Sequence, residues 1–231
     1  MSRIDHRSTV ARIVTEHALT ARVFQRHGVD YCCHGDVTVP EACAEQRLDP
    51  EALFAELEAV AAAGNAEPDG DPSSLSTAAL VARIVDRHHG YLRKALPCIG
   101  PIVTKVADVH GGRDPRLPQL RDAFFELAAS LLPHLDEEEN VLFPTLISRQ
   151  PDAAVLQGEM ERMHRDHLAV GALLRRIRSL TDGFRTPEWG CNTYRVLLSE
   201  LDALEADVLG HVHLENHVLA PRFEATARQT A

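Results

Sequence analysis

The sequence predicts an all-α protein: an up-down-up-down four-helix bundle preceded by a small helical N-terminal domain. Three observations carry that prediction. Four long stretches of helical periodicity follow residue 76, joined by short, breaker-rich connections such as HGGRDP and TDGFRTP, which make neighbouring helices antiparallel. No run reads as a β-strand, and seven Phe, three Tyr and one Trp in 231 residues are lean for a large β-protein. Finally, HLDEEENVLFP from His134 and HVHLENHVLAP from His211 repeat each other without a gap.

The elements follow in order. Ser8 or Thr9 caps a helix through VARIVTEHALTARVFQRHG, in which Val10, Ile13, Val14, Ala21 and Phe24 keep mainly helical spacing and Gly28 marks the end. A loop, VDYCCHGDVT, leads to Pro40, which starts a second helix through EACAEQR. A third helix begins at Asp49 or Pro50 and carries apolar Leu53, Phe54, Leu57 and Val60. Residues 1–60 form this first domain. Residues 61–76, AAAGNAEPDGDPSSLS, have the Gly, Pro, Ser and Asp content of a flexible linker. Residues 77–231 form the bundle. Its helices are expected near Thr77–Ala107, Pro115–Arg149, Asp152–Leu180 and Pro187–Ala227, with irregularities at Pro97, Pro101, Pro133 and Pro144.

The chain is 45% hydrophobic, enough for a large core, and its net charge of −10 argues against a nucleic-acid partner. The N-terminus lacks the apolar run of a signal peptide, and no stretch approaches the roughly 20 apolar residues of a spanning helix. A cytoplasmic protein, with no membrane partner, is expected. Five cysteines, an odd number, do not make a disulfide scaffold. Thirteen histidines are more informative, because nine lie from His88 onward and most stand near another His or a Glu.

In the repeat, His134 aligns with His211 and Glu138 with Glu215, at an offset of 77 residues. A His and a Glu four apart share one helix face, and imidazole with carboxylate is a ligand set for a first-row transition metal. One such pair is ordinary on an exposed helix. The repeat reaches further, however. Shortening the offset to 75 aligns Asp86 with Glu161, Arg87 with Arg162 and His89 with His164, so each half supplies a lone His and then a His–Glu pair. Four His and two bridging Glu can hold two metals, and the His-rich, carboxylate-bridged set suits iron best, manganese next and zinc less. The expected ligands are His89, His134, Glu138, His164, His211 and Glu215. His88 lies nearer the centre of its helix's apolar stripe and is the alternative to His89. His110, His167, His213 and His217 are expected in supporting, surface or structural places, and Glu139 as a supporting partner.

Cys32 and Cys33 are adjacent, which strains a disulfide between them. As dithiols they are available to a metal, to nitric oxide or to a redox partner, and His34 beside them could lower a thiol pKa. Two buried small residues at a turn would read the same way. Cys43, Cys98 and Cys191 are expected to be packing residues.

The DYCC loop after an N-terminal helix, the linker, and then DRHHGYL, HLDEEENVLFP, ERMHRDHL and HVHLENHVLAP together resemble the hemerythrin-like iron–sulfur cluster repair proteins of the ScdA and YtfE type. The resemblance spans nearly the whole chain. It implies an ScdA-type N-terminal domain bearing Cys32 and Cys33. It also implies a hemerythrin-like bundle holding two Fe ions per chain, oxo- or hydroxo-bridged, on His89, His134, Glu138, His164, His211 and Glu215. The implied function is repair of iron–sulfur clusters damaged by oxidative or nitrosative stress, by supplying iron. Nitric oxide reduction, or oxygen or nitric oxide binding and sensing, are the alternatives. The implied partners are damaged iron–sulfur proteins, with nitric oxide or oxygen as small ligands, and a homodimer is compatible with the sequence. One departure is Ala220, where the family usually has Phe, which should loosen packing behind the second His–Glu pair.

Overall fold

The computed structural model describes residues 4–63, 70–148 and 153–223. Among them the regular structure is helical, apart from one isolated antiparallel bridge between Thr9 and Thr38. The chain divides into two compact units, Met1–Ser76 with Leu209–Ala231, and Thr77–Val208. Residues 64–69 of the expected linker, and the expected helix ends at 149, 152 and 224–227, lie outside the described residues.

The single helix expected to follow Thr9 is two. Helix α1 (Val10–Glu16) is capped by Thr9, whose side chain accepts the Arg12 amide at 3.3 Å. It stops at His17, where the backbone leaves helical geometry, and a 3₁₀ turn (Ala18–Thr20) leads into α2 (Ala21–Arg26). Gly28 follows at φ +69°, a conformation that glycine adopts without steric cost. Helix α3 (Val39–Gln46) opens with Pro40 and a Thr38–Glu41 capping box, and α4 (Pro50–Ala62) with Asp49 accepting the Glu51 amide. The loop before α3 is tied to α1 through Val10 N–H to the Val37 carbonyl at 2.8 Å and Ala11 N–H to the Gly35 carbonyl at 2.9 Å. At Gly35 a Cβ would stand 2.5 Å from the Tyr31 carbonyl oxygen and 2.7 Å from Ala11 Cβ, so only glycine fits there.

The second unit holds long helices. Helix α5 (Thr77–Ile84) continues through a π-helical turn (Val85–His89) into α6 (Gly90–His110). Helix α7 (Arg116–Glu137) continues through a second π turn (Glu138–Leu142) into the short α8 (Phe143–Ile147). Helix α9 (Ala153–Leu180) has no such interruption, and α10 (Asn192–His213) ends in a third π turn (Leu214–Leu219). The division between the units falls within α10.

Two expectations are corrected. The fourth long helix begins at Asn192, not near Pro187, because the Gly190 amide bonds the Pro187 carbonyl at 2.8 Å and closes a turn first. The helices run through Pro97, Pro101 and Pro133, and the α pattern breaks instead at the π turns. There the Gly90 amide reaches the Val85 carbonyl and the Phe143 amide the Glu138 carbonyl, each five residues back.

The core of this unit follows helical stripes. Leu92, Leu96, Ile99, Val103 and Val106 are buried on α6, and Leu117, Leu120, Phe124, Leu127 and Leu131 on α7. Each such side chain contributes about 1.5–3 kcal/mol on burial. Helix α6 packs on α7, and α7 on α9. Helix α10 is joined to the others through Arg178, whose guanidinium grips buried Glu205 with two nitrogens, and through His88 bonding Asp207 at 3.0 Å.

Candidate metal centre

The ligand candidates continue the core stripes. On α7 the series Leu120, Phe124, Leu127 and Leu131 runs on to His134 and then Glu138, both buried. On α10 the series Leu197, Leu201, Leu204 and Val208 runs on to His211 and Glu215. The periodicity that buries leucine therefore aims imidazole and carboxylate inward. Each of the three π turns carries one candidate: His89, Glu138 and Glu215. Such single-turn departures from α geometry favour functional sites, because the extra residue re-aims the side chains around it.

Glu138 stands between two histidines. Its carboxylate lies 3.4 Å from His89 Nε2 and 3.1 Å from His134 Nε2, while His211 Nε2 lies 3.0 Å from Glu215 Oε1. Ligand atoms of His89, Glu138, His211 and Glu215 lie within 4.8 Å of one another, and so do those of His134, Glu138, His167 and Glu215. All six side chains are buried. Two carboxylates shared by both groups cannot both stay ionised in a buried place without positive charge, since desolvating each ion costs several kcal/mol. Bound metal cations would supply that charge. The donor set therefore fits a dimetal site.

His164 is corrected. It is exposed, and the histidine of α9 that joins the group is His167, 1% exposed, with its ring centroid 5.1 Å from that of His134. Among the described residues the buried side chains of α9 are those of Met163, His167, Val170, Leu174 and Ile177, alternating steps of four and three. His164 falls off that stripe. The signal was legible: His89 to His167 is an offset of 78, nearer to 77 than the 75 that selects His164. His88 is also buried, but it belongs to neither group.

Two further carboxylates hold the outer ring nitrogens. His89 Nδ1 bonds Glu139 at 2.9 Å, and His134 Nδ1 bonds Asp166 at 3.4 Å. Burial alone would push the Glu139 carboxyl up, but His89 and Arg93 hold it below the usual carboxylate range. A surface cleft of about 280 Å³ reaches His134 between Ser130, Glu137, Arg162 and Asp166.

The cysteine pair sits in the other unit. Cys32 is buried and Cys33 half-buried, with their sulfurs 3.7 Å apart. Asp30 organises the loop, accepting both cysteine amides and the Cys32 thiol, and bonding His34 Nδ1 at 2.9 Å. The expected lowering of a thiol pKa by His34 is not found at Cys32. That thiol is pushed well up by its hydrogen bond with Cys33, by burial and by Asp30, while His34 is turned to Asp30. Asp30, Cys32 and Cys33 form a third group of ligand atoms within 4.8 Å. The same loop is tied to the π turn that ends α10. Asn216 Nδ2 donates to the Cys32 carbonyl at 2.9 Å, His217 Nε2 lies 2.9 Å from it, and His213 Nδ1 lies 3.2 Å from the Tyr31 carbonyl. Burial and His217 hold His213 down at about 4, so its ring is neutral and structural.

Of the cysteines expected to pack, Cys43 is buried but Cys98 and Cys191 are exposed. Cys191 precedes α10 and lies 3.3 Å from His110 Nε2, which lowers its thiol to about 7. Phe143 stacks on the His89 ring at 5.7 Å, and its counterpart in the repeat, Ala220, is buried.

Among the described residues no helix is long and apolar enough to cross a membrane. Residues 80–223 match the hemerythrin HHE cation binding domain, and residues 6–61 match ScdA_N, a domain of unknown function. The chain is 34% identical over 227 residues to the iron-sulfur cluster repair protein ScdA of Staphylococcus haemolyticus, across 95% of this chain and 99% of that one. It is 33% identical over 204 residues to the iron-sulfur cluster repair protein YtfE of Yersinia pseudotuberculosis, across 87% and 89% of the two chains.

Proposed function

The chain belongs to the ScdA/YtfE iron-sulfur cluster repair family, and from that premise we propose that it restores damaged iron–sulfur clusters by supplying iron from a buried pair of sites. The observation that carries this reading is the sharing of Glu138 and Glu215 between two groups of buried histidines. His89 and His211 would hold one metal and His134 and His167 the other, with Glu138 and Glu215 within reach of both. Imidazole and carboxylate suit iron better than zinc, which prefers tetrahedral sites often built with thiolate. When bound, the pair supplies iron in a form that a depleted cluster can take up.

The chain's own part is to keep the site ready in both states. His134 and Glu138, and likewise His211 and Glu215, sit within ion-pair reach on the same helical run. Each imidazole and carboxylate can therefore turn to one another when a metal is gone, and the site need not unfold. The outer partners Glu139 and Asp166 keep the rings of His89 and His134 aimed inward. The clients are iron–sulfur proteins harmed by oxidative or nitrosative stress in the cytoplasm. The reading takes residues 1–60 as the ScdA-type region bearing Cys32 and Cys33, residues 61–76 as a linker and residues 77–231 as the metal-holding bundle, whose end from Leu209 falls in one compact unit with the N-terminal region.

The test is anaerobic transfer of isotopically labelled iron from the loaded protein to a hydratase whose cluster has lost iron. The client should regain activity and carry the label, even with a chelator present that traps free iron. A client that recovers only when the chelator is left out would overturn the proposal. Production of nitrous oxide from nitric oxide, with both irons retained and no transfer, would favour a reductase instead.

A further inference from the structure

Glu138 and Glu139 are adjacent in one π turn and serve opposite ends of the same imidazole. Glu138 faces His89 Nε2 at 3.4 Å, and Glu139 Oε1 takes His89 Nδ1 at 2.9 Å. The same Glu139 oxygen accepts from Arg93 at 3.0 Å, and Arg93 also binds Asp136 at 2.7 Å. His89 is 1% exposed, so neither nitrogen can turn to solvent for an alternative partner. An ionised carboxylate only accepts, so the ring nitrogen facing Glu139 carries the proton and the other keeps its lone pair.

The repeat makes this arrangement asymmetric. The residue after the second bridging glutamate is Asn216, and it is turned to the Cys32 carbonyl rather than to a histidine. The carboxylate that serves His134 is Asp166, which comes from α9, lies farther away at 3.4 Å and is 45% exposed. Among these three places, only Glu139 combines a short bond, a mostly covered carboxylate and a cation behind it.

We propose that Glu139, braced by Arg93, is a positioning residue that commits His89 Nε2 to a metal. The inference rests on the dimetal reading of the site. Loss of an outer carboxylate partner of a ligating histidine commonly weakens metal binding by about 10–100-fold.

The test is anaerobic calorimetric titration of the full, metal-free chain with ferrous iron, comparing Glu139→Ala, Glu139→Gln and Asp136→Asn with the unaltered chain. Thermal unfolding of each metal-free protein is measured in parallel. The unaltered chain should bind two irons. In Glu139→Ala the binding of one iron should weaken by about 10–100-fold while the other is held as before. Glu139→Gln, which keeps an oxygen to receive the Nδ1 proton, should recover most of the loss, and Asp136→Asn should change little. Unchanged steps in Glu139→Ala, or equal weakening of both steps in the Ala and Gln variants, would overturn the inference. Failure of the unaltered chain to bind two irons would count against the dimetal reading instead.

Discussion

Replacing His167 by alanine, and separately His164 by alanine, tests which histidine of α9 reaches the metal centre. His167 is buried, lies beside the His134 ring and shares a group of ligand atoms with Glu138 and Glu215, whereas His164 is exposed. An exposed substitution away from caps and partners changes stability by no more than about 0.5 kcal/mol. His164→Ala should therefore keep two irons per chain and its unfolding temperature. His167→Ala removes a nitrogen donor from inside the group. If losing an outer-sphere partner costs up to about 100-fold in metal affinity, losing the ligand itself should cost more than that, or more than about 2.7 kcal/mol. The assay is iron content per chain after anaerobic reconstitution and desalting, with the visible spectrum of the oxidised protein as a second readout. His167→Ala should retain at most one iron and lose the spectrum of a bridged pair. Two irons in His167→Ala together with loss in His164→Ala would refute the assignment and restore the choice made from the 75-residue offset.

Four further outcomes follow from the structure. Gly35→Ala would put a methyl group 2.5 Å from a backbone oxygen and 2.7 Å from Ala11 Cβ, and it should destabilise the chain by about 1–3 kcal/mol in urea unfolding; an unchanged midpoint would show that the cysteine loop is not held against α1. Cys191, lowered to about 7 chiefly by His110, should be alkylated by iodoacetamide at a rate that rises with pH and is half-maximal near 7, because thiolate is the nucleophile. Cys32, whose thiol is pushed well up, should stay unlabelled in the folded protein over that range, as peptide mapping would read directly. Glu205→Ala strands the Arg178 guanidinium, which is 20% exposed, so the loss should fall near the low end of the range for a broken buried pair, about 3 kcal/mol; a thermal midpoint within a degree of the unaltered chain would contradict this.

Much of the molecule was legible without coordinates, because helical architecture is written in short-range periodicity. The alternation of three- and four-residue steps along α6, α7 and α10 is a property of the chain itself, and so is the repeated His–Glu spacing. Even the choice of His167 was present in the stripe Met163, Val170, Leu174 and Ile177; aligning around Glu161 and Arg162 concealed it, since charged residues on an exposed face are free to drift. What periodicity could not show was where a helix departs from its own period. The π turns at Val85–His89, Glu138–Leu142 and Leu214–Leu219 have no composition signature, because the extra residue is accommodated by burial and packing rather than by local preference.

The sequence by itself therefore determined the helical class, the two pairs His134–Glu138 and His211–Glu215, and the kind of metal such donors suit. Tertiary structure decided the rest. It brought His167 rather than His164 to the site, set Glu139 behind His89, and turned Asn216 and His217 toward the Cys32 carbonyl. The physical reason is the same in each case. A side chain's face is set by its own helix, but its partner is set by which other helix is packed against that face.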